Sequence, residues 1–412
     1  MLESLFPQPE DYPLPASSRL WMPRLTALSI LSILVPSGLP RVSLGIPYIF
    51  STFYVLFWTG EQTRYGCMIG ISVVMLLHRW FDYVVFHKPE KDFWAVERIE
   101  VSGTGKGKGR IVREEREFAP DGGWEKVKWF TRLWIAQRGV GYNTQSPKLP
   151  LPPPKSTVPI QYIRTHLPRL IRLYLAVDLI QNILYTLFLS RQNTPFLHRP
   201  PTFQFLFSWL AAVYTYNSLE FSYLALSLFA IGTGISPPSS WPPLTGSFIK
   251  NGYTIRKIWG ECWHQYMRRP CSITGLGVCK VLHLRKGSLS SRYTQLWIGF
   301  IVSAIFHHAG AITGLYEDGG LWQARYFLLQ PLGIMVEDFV VWGGKSVGIG
   351  GNGVTKMIGF LWVGLWFSWS LRFMVAFQPD SYFEEFAMPS LGEWVMGGKG
   401  IGIGIGRLQG IL

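Results

Sequence analysis

The chain has 412 residues, of which 48% are hydrophobic and 18 are tryptophan, and its formal net charge is +14. Soluble domains of this size seldom carry several apolar runs of 18 residues or more, so an ordinary soluble domain is excluded. The basic excess lies mostly in two polar connections, which indicates membrane topology instead of a nucleic-acid partner. We therefore expect an all-α polytopic membrane protein that forms a single membrane domain over 1–412.

Apolar segments follow one another along the chain, with Gly, Pro and polar residues between them. Each is interpreted as a helix that crosses the bilayer, which takes about 20 residues. Polar residues inside these segments, such as Asp178, Gln181 and Glu220, are expected to pair across helices. About eight spans are predicted, at 25–35, 42–58, 65–78, 170–189, 203–231, 294–315, 322–342 and 354–377.

Two basic connections interrupt the spans, at 79–169 and 242–293, and the positive-inside rule places both in the cytosol. The first is a long polar loop with a helix near 124–138, amphipathic through Trp129, Leu133 and Trp134. Its GTGKGKG run at 103–109 fails the phosphate-loop pattern, because Gly follows the last Lys where Ser or Thr is required. We interpret this run as flexible loop.

The stretch from Trp241 to His308 carries the strongest functional signals. Between Tyr253 and Met267 the apolar residues recur at helical spacing, which predicts an amphipathic helix in the headgroup layer with His264 on its polar face. The following span contains His307, and an ionisable residue inside a span is a functional candidate by default.

His307 shares a face of its helix with small residues, among them Ser303 and Ala304. Small residues let another helix or a substrate approach closely. With the second connection in the cytosol, His307 lies about 20 Å along the helix, past the middle of the membrane and facing a cavity.

The cysteines give no sign of a disulfide framework or a metal site. There are four of them, without a CxxC pair. Cys271, Cys279 and His283 match no zinc spacing. We therefore expect no metal.

The segment 236–342 resembles the membrane-bound O-acyltransferase superfamily, specifically its wax-synthase-like branch of fungal secondary metabolism. WHQ followed by S...H at this interval is fairly specific inside a multispan chain, although neither half is specific alone. The family's glycine before the second histidine is Ala304 here. The matching residues are Trp241-Pro242-Pro243-Leu244-Thr245-Gly246, Ile258-Trp259, Trp263-His264-Gln265, Phe300, Ser303, His307, Leu328-Leu329-Gln330-Pro331 and Glu337-Asp338.

This resemblance implies transfer of an acyl group, acetyl in most fungal members, from acyl-CoA to a hydroxyl of a terpenoid or meroterpenoid. His307 would be the general base, since the ordinary pKa of imidazole lies near the working pH. His264 would orient the substrate or stabilise the oxyanion, with Gln265 as a possible donor. Trp263, Ser303 and Glu337 are further substrate-contact predictions.

Acyl-CoA would be the co-substrate, the acceptor a hydrophobic alcohol in the bilayer, and the location the endoplasmic reticulum membrane. Basic residues of the second connection could reach the CoA phosphates, although the positive-inside rule explains their charge equally well. These residues are Arg268, Arg269 and Lys280.

Other functions stay open at this point. A long-chain wax-ester or sterol acyltransferase would share the motif. A transporter would also place ionisable groups in the membrane, but it often has two related halves, and no internal repeat is evident. A di-iron hydroxylase needs clustered histidines, whereas eight are scattered here. A membrane terpene cyclase is usually much shorter. Either His307 or His308 could act as the base.

Overall fold

The computed structural model describes residues 20–59, 64–101, 111–189, 194–315, 318–376 and 378. These residues are mostly helical. The helices are α1 (Trp21–Leu31), α2 (Leu39–Val42), α3 (Gly45–Trp58), α4 (Arg64–Trp80), α5 (Pro89–Asp92), α6 (Gly123–Ile135), α7 (Pro159–Leu189), α8 (Pro201–Gly232), α9 (Phe248–Asn251), α10 (Ile255–Lys257), α11 (Arg268–Val281), α12 (Leu289–Thr313), α13 (Leu321–Ser346) and α14 (Gly353–Val375).

Two strands, β1 (Ala95–Val101) and β2 (Ile111–Glu117), form an antiparallel hairpin inside the first polar connection. Ala95 pairs with Glu117 at one end and Val101 with Ile111 at the other. The GTGKGKG run lies outside the described residues.

The chain divides into two compact units. The first takes in the described parts of Met1–Gly60, Ile71–Lys148 and Gln265–Val302, and the second those of Glu61–Gly70, Leu149–His264 and Ser303–Leu412. A single membrane domain over 1–412 stays a prediction.

Each of the eight predicted spans falls on a helix, namely α1, α3, α4, α7, α8, α12, α13 and α14. Among the described residues, five helical stretches are long and apolar enough to cross a membrane. They are Gly66–Phe86, Pro159–Leu187, Leu289–Thr313, Leu321–Ser346 and Gly353–Val375. A mostly helical membrane fold is therefore confirmed, and the count of eight spans stays a prediction.

Helix α6 has the amphipathic face that its sequence predicts. Trp129, Leu133 and Trp134 are all buried. The guanidinium of Arg79, at the end of α4, donates to the carbonyl oxygens of Leu133 and Ala136 at 3.1 and 3.3 Å. These carbonyls lie in the last turn of α6 and on the residue after it, where the helix itself offers no partner, so Arg79 caps the helix from a neighbouring element.

Two regions predicted as connections contain helix instead. Helix α7 already begins at Pro159, where a proline costs no hydrogen bond in the first turn. Helix α11 fills part of 242–293, because its buried Gly275 packs closely on α12. A Cβ added to Gly275 would meet the Cα of Gln295 at 3.1 Å. This contact depends on tertiary packing, which the basic composition of the segment conceals.

The second unit has an apolar core between α7, α8 and α14, centred on Val177, Phe207 and Val375. Polar side chains of α7 and α8 pair across it. Tyr214 donates to Gln181 at 3.2 Å, and Arg169 forms an ion pair of 2.7 Å with the buried Glu220. Pairing across helices is thereby confirmed for Gln181 and Glu220.

A buried ion pair ties α2 to α5 in the first unit. The Arg41 side chain is only 2% exposed, and its Nη2 lies 2.7 Å from Oε1 of Glu90. Nε of Arg41 donates to the carbonyl of Val35 at 2.8 Å. Burial alone would raise the pKa of Glu90, but hydrogen bonds from Arg41 and Lys126 outweigh it and lower the pKa to about 2.

The change Glu90→Ala should therefore destabilise the protein by roughly 3 kcal/mol, because it leaves the Arg41 charge buried without a carboxylate. Thermal unfolding of the purified protein measures this loss. The matched control is Glu125→Ala, which removes a carboxylate of the exposed Lys128–Glu125 pair. A surface pair of this kind contributes only about 0–1 kcal/mol.

Acidification should lower the stability of the wild-type protein for the same reason, because it protonates Glu90. The folded pKa of Glu90 lies below its ordinary value of 4.5. Its stabilisation is thus complete above that value and disappears as the pH falls from about 4.5 towards 2. An equal loss of stability on acidification in the Glu90→Ala variant would contradict this assignment.

Candidate active site

The segment that carries His264 is not the continuous helix predicted over Tyr253–Met267, and that prediction is wrong. After α10 comes one wide π turn, Ile258–Cys262, and Trp263 then leaves the helical conformation with φ −72° and ψ 159°. The interfacial position of this segment stays a prediction.

The WPPLTG stretch supplies the reason for the break. The N–H of Gly246 donates to the carbonyl of Cys262 at 2.9 Å, at the point where the helix would otherwise continue. The approach is so close that a Cβ at Gly246 would lie 2.2 Å from the carbonyl oxygen of Glu261. Only glycine fits there, and the chain turns at Trp263 towards His264.

A carboxylate on α13 fixes the start of the same segment. Glu337, 7% exposed, accepts the backbone N–H groups of Ile255 at 2.6 Å and Arg256 at 3.3 Å. The adjacent Asp338 accepts from Nε of Arg256 at 3.1 Å and also binds its Nη2. A carboxylate is favourable at the first N–H groups of a helical turn, which have no partner within the turn.

Rings from α13, α14 and the residue after the π turn surround Trp259. We call this set the aromatic cluster: Trp259, Trp263, Tyr326, Phe327 and Phe367. The ring centroid of Trp259 lies 6.3 Å from that of Trp263, 6.4 Å from Tyr326, and 6.2 Å from both Phe327 and Phe367. The cluster is one contiguous set of packed rings inside the second unit, and Tyr326, Phe327 and Phe367 are buried in it.

Gln330 fixes the orientation of the cluster. Its amide oxygen accepts the indole N–H of Trp259 at 3.3 Å and that of Trp366 at 3.1 Å, and its amide nitrogen donates to the carbonyl of Tyr326 at 3.0 Å. The side chain is completely buried. Losing it would remove the shared acceptor of two partly buried indole N–H groups, which is costly.

His307 has a defined proton arrangement. Its Nδ1 lies 2.8 Å from the carbonyl oxygen of Ser303, one helical turn earlier. A carbonyl oxygen only accepts, so Nδ1 carries the proton, and the neutral ring keeps its lone pair on Nε2. The ring stacks on Phe327 with centroids 4.0 Å apart and an angle of 29° between the planes.

Ring contacts lead from one predicted catalytic histidine to the other. His264 lies 5.2 Å from Trp263, which contacts Trp259 at 6.3 Å. The ring centroids of Trp259 and Phe327 are 6.2 Å apart, and the His307 ring stacks on Phe327. Both histidines therefore border the aromatic cluster within one unit, although 43 positions separate them in the chain.

His308 has different surroundings from His307. Its Nδ1 is buried and has no hydrogen-bond partner among the described residues. It faces Gly320, where an added Cβ would lie 3.4 Å from this nitrogen. Neighbouring residues on a helix point about 100° apart, and the two rings accordingly have different neighbours, Phe327 for His307 and Gly320 for His308.

The remaining predicted site residues belong to the first unit. Gln265 is buried there, and Oγ of Ser146 donates to its amide oxygen at 3.4 Å. Arg268 opens α11, and Lys280 is exposed in its last turn. Their roles stay predictions.

Arg269 has a structural partner within the first unit. It binds Asp82 with both Nε and Nη2, at 2.6 and 3.0 Å. The guanidinium also lies over the rings of Tyr83 and Phe93. These contacts occupy the fork of the side chain, whereas contact with CoA stays a prediction.

Sequence reasoning missed the roles of Phe327 and Gln330. An amide inside an apolar span is unusual enough to identify Gln330 as a residue with a partner. Nothing in the sequence distinguishes Phe327 from the other aromatic residues, because its importance comes from the ring that stacks on it.

With this geometry described, comparison with known proteins gives a consistent answer. Residues 241–329 match the membrane bound O-acyl transferase family. The matched stretch contains the WPPLTG turn, both histidines, Trp259 and Phe327. No solved structure is significantly similar to the chain.

Several similar proteins are named as transferases. Acetyltransferase sirH of Emericella nidulans is 25% identical over 88% of this chain and 84% of its own length. Acetyltransferase ple2 of Rhodocybe pseudopiperita is 33% identical over 60% of this chain and 65% of its own. O-Mevalon transferase macI of Penicillium terrestre is 29% identical over 73% and 70%. The chain is thus a multi-pass membrane protein whose residues 241–329 are similar to the membrane-bound O-acyltransferase family. The similar proteins named above are fungal acetyltransferases and an O-Mevalon transferase.

The carboxylate of Glu337 should hold the His264 segment in place. We expect Glu337→Ala to speed amide hydrogen exchange at Ile255 and Arg256 and to cost about 1–3 kcal/mol of stability. Glu337→Gln, which keeps the size and one acceptor oxygen, should show a smaller effect. Wild-type exchange in the alanine variant would contradict the anchoring role.

Proposed function

We propose that the protein transfers an acetyl group from acetyl-CoA to a hydroxyl of a terpenoid or meroterpenoid secondary metabolite, in the membrane of the endoplasmic reticulum. The general base is His307. The observation that carries the proposal is the hydrogen bond from Nδ1 of His307 to the Ser303 carbonyl. The His307 ring also stacks on Phe327, which is a member of the aromatic cluster. It supports a neutral imidazole with Nε2 ready to accept a proton.

The proposed reaction has two proton transfers and one exchange of bonds. Nε2 of His307 takes the proton of the acceptor hydroxyl, and the hydroxyl oxygen attacks the thioester carbonyl. The tetrahedral intermediate then loses its C–S bond, and the CoA thiolate receives the proton from the imidazolium. The products are the ester and free CoA, and His307 returns to its neutral form. Base catalysis by a positioned group contributes about 10²–10⁴-fold.

His264 is the proposed electrophilic partner. A donor aimed at the developing oxyanion stabilises the transition state more than the ground state. Support comes from its place beside Trp263, on the same aromatic cluster as Phe327 and His307. Gln265 is proposed as a second donor, next to His264 in the chain.

The proposed alcohol is supported by the aromatic cluster, and the proposed acetyl donor by the names of similar proteins. The aromatic cluster offers flat apolar surface, which suits a polycyclic alcohol that partitions into the bilayer. The name acetyltransferase on similar proteins supports a two-carbon donor. Arg268, Arg269 and Lys280 stay proposed contacts of CoA.

The central test measures transfer from labelled acetyl-CoA to candidate alcohols in membranes. We expect His307→Ala to lower the rate by about 10²–10⁴-fold. His166→Ala is the matched control, because Nδ1 of His166 makes the same bond to a carbonyl one turn earlier, that of Tyr162, at 2.9 Å. It should keep wild-type activity.

His308→Ala should also stay active. Loss of transfer in this variant with retention in His307→Ala would assign the base to the other histidine. Transfer of long-chain but not acetyl groups would instead favour a wax-ester or sterol acyltransferase.

A second test concerns the oxyanion. His264→Ala should lower kcat by about 10²–10³-fold. KM for acetyl-CoA should stay unchanged, because the lost contact forms only in the transition state. A rise in KM with constant kcat would mean that His264 binds the ground state, and would contradict the proposed role.

A further inference from the structure

The first unit contains an open cleft of about 400 Å³ that is separate in the chain from every residue discussed as catalytic. The turn after α1, from Leu34 to Ser37, forms one wall. Helix α5 and the start of α6 form the other. The charged residues that line the cleft are Arg41, Lys88, Glu90, Lys91 and Lys126.

The cleft has a marked positive charge. Four cationic side chains and one carboxylate line it, which leaves a formal excess of three positive charges. Glu90 stays ionised, and it is bound by Arg41 at 2.7 Å and Lys126 at 2.8 Å. The single anion of the lining is therefore engaged by two of its four cations.

The two remaining cations of the lining are lysines. Lys88 and Lys91 are exposed, at either end of the first turn of α5. Asp92, nearby, accepts the backbone N–H of Lys88 at 2.7 Å, which fixes the backbone of this lysine at the cleft. Ammonium groups of this kind are well suited to phosphate oxygens.

A rigid base supports the cleft. The guanidinium of Arg41 is held by the carbonyls of Val35 and Ile33, at 2.8 and 3.3 Å, as well as by Glu90. The Arg41 side chain is therefore already ordered before any ligand binds, so binding loses little further side-chain entropy there. Surface lysines on a flexible loop would lack such a base.

We propose that this cleft binds a phosphate-rich anion, with Lys88 and Lys91 as its direct contacts. Phosphate of this kind has two sources: the 3′-phosphate and diphosphate of CoA, or the headgroup of an anionic phospholipid. The first would make the cleft part of donor recognition and rests on the proposed function. The second would make it a lipid site.

The test uses the full chain in nanodiscs of neutral lipid and measures binding of labelled CoA without any turnover. The double variant Lys88→Gln/Lys91→Gln should bind CoA roughly tenfold more weakly, as expected for two contacts in a partly exposed site. The matched control is Lys250→Gln/Lys345→Gln, which removes the same charge from two other exposed lysines. It should bind as the wild type does, and all three proteins should unfold at the same temperature.

A second set of measurements distinguishes the two sources. If CoA is the ligand, 3′-dephospho-CoA and inorganic pyrophosphate should bind more weakly than CoA, and the preference for CoA should shrink in the Lys88→Gln/Lys91→Gln variant. If a headgroup is the ligand, CoA binding is unchanged. Retention of anionic phospholipid, measured by native mass spectrometry, then falls in this variant alone.

The proposal is overturned if neither CoA binding nor lipid retention differs between the two double variants. Because binding is measured without acyl transfer, this outcome is independent of the His307→Ala assay. Anion binding in a protein that transfers no acetyl group would refute the proposed function and leave the cleft standing.

Discussion

The bond between the Glu337 carboxylate and the N–H groups of Ile255 and Arg256 is the constraint on which the candidate site depends. A buried charge is costly unless it is paired and hydrogen-bonded, so this carboxylate and the helical turn fix each other. The segment from Trp259 to His264 continues directly from that turn. At the end of this segment, the N–H of Gly246 donates to the carbonyl of Cys262, and the chain turns there.

Polar side chains have the same function elsewhere in the second unit. Gln330 accepts hydrogen bonds from two indole rings, and Gln181 accepts one from Tyr214. Glu220 accepts a hydrogen bond from Arg169. Apolar packing tolerates many arrangements of similar volume, whereas a hydrogen bond has a required distance and direction. The aromatic cluster is thus held by groups that are themselves polar. This explains how large rings can present a defined surface.

The two histidines show which part of a site is local and which is not. The bond from Nδ1 of His307 to a carbonyl one turn earlier is a property of the helix, and His166 makes the same bond to Tyr162. That bond alone therefore identifies no base. His307 differs through its stack on Phe327 and, through the aromatic cluster, its link to His264.

The sequence by itself determined the helical membrane class, the approximate place of the eight apolar helices among the described residues, the amphipathic face of α6, and the two histidines as the residues of interest. Apolar runs and spacing are local properties, so they can be read along the chain. Only the tertiary structure decided where the His264 helix breaks, that α11 is helical, and which residues Phe327 and Gln330 contact. The break needs Gly246 and Glu337, and α11 needs α12 at Gly275. These are contacts between residues far apart in the chain, and helical periodicity carries no information about such partners.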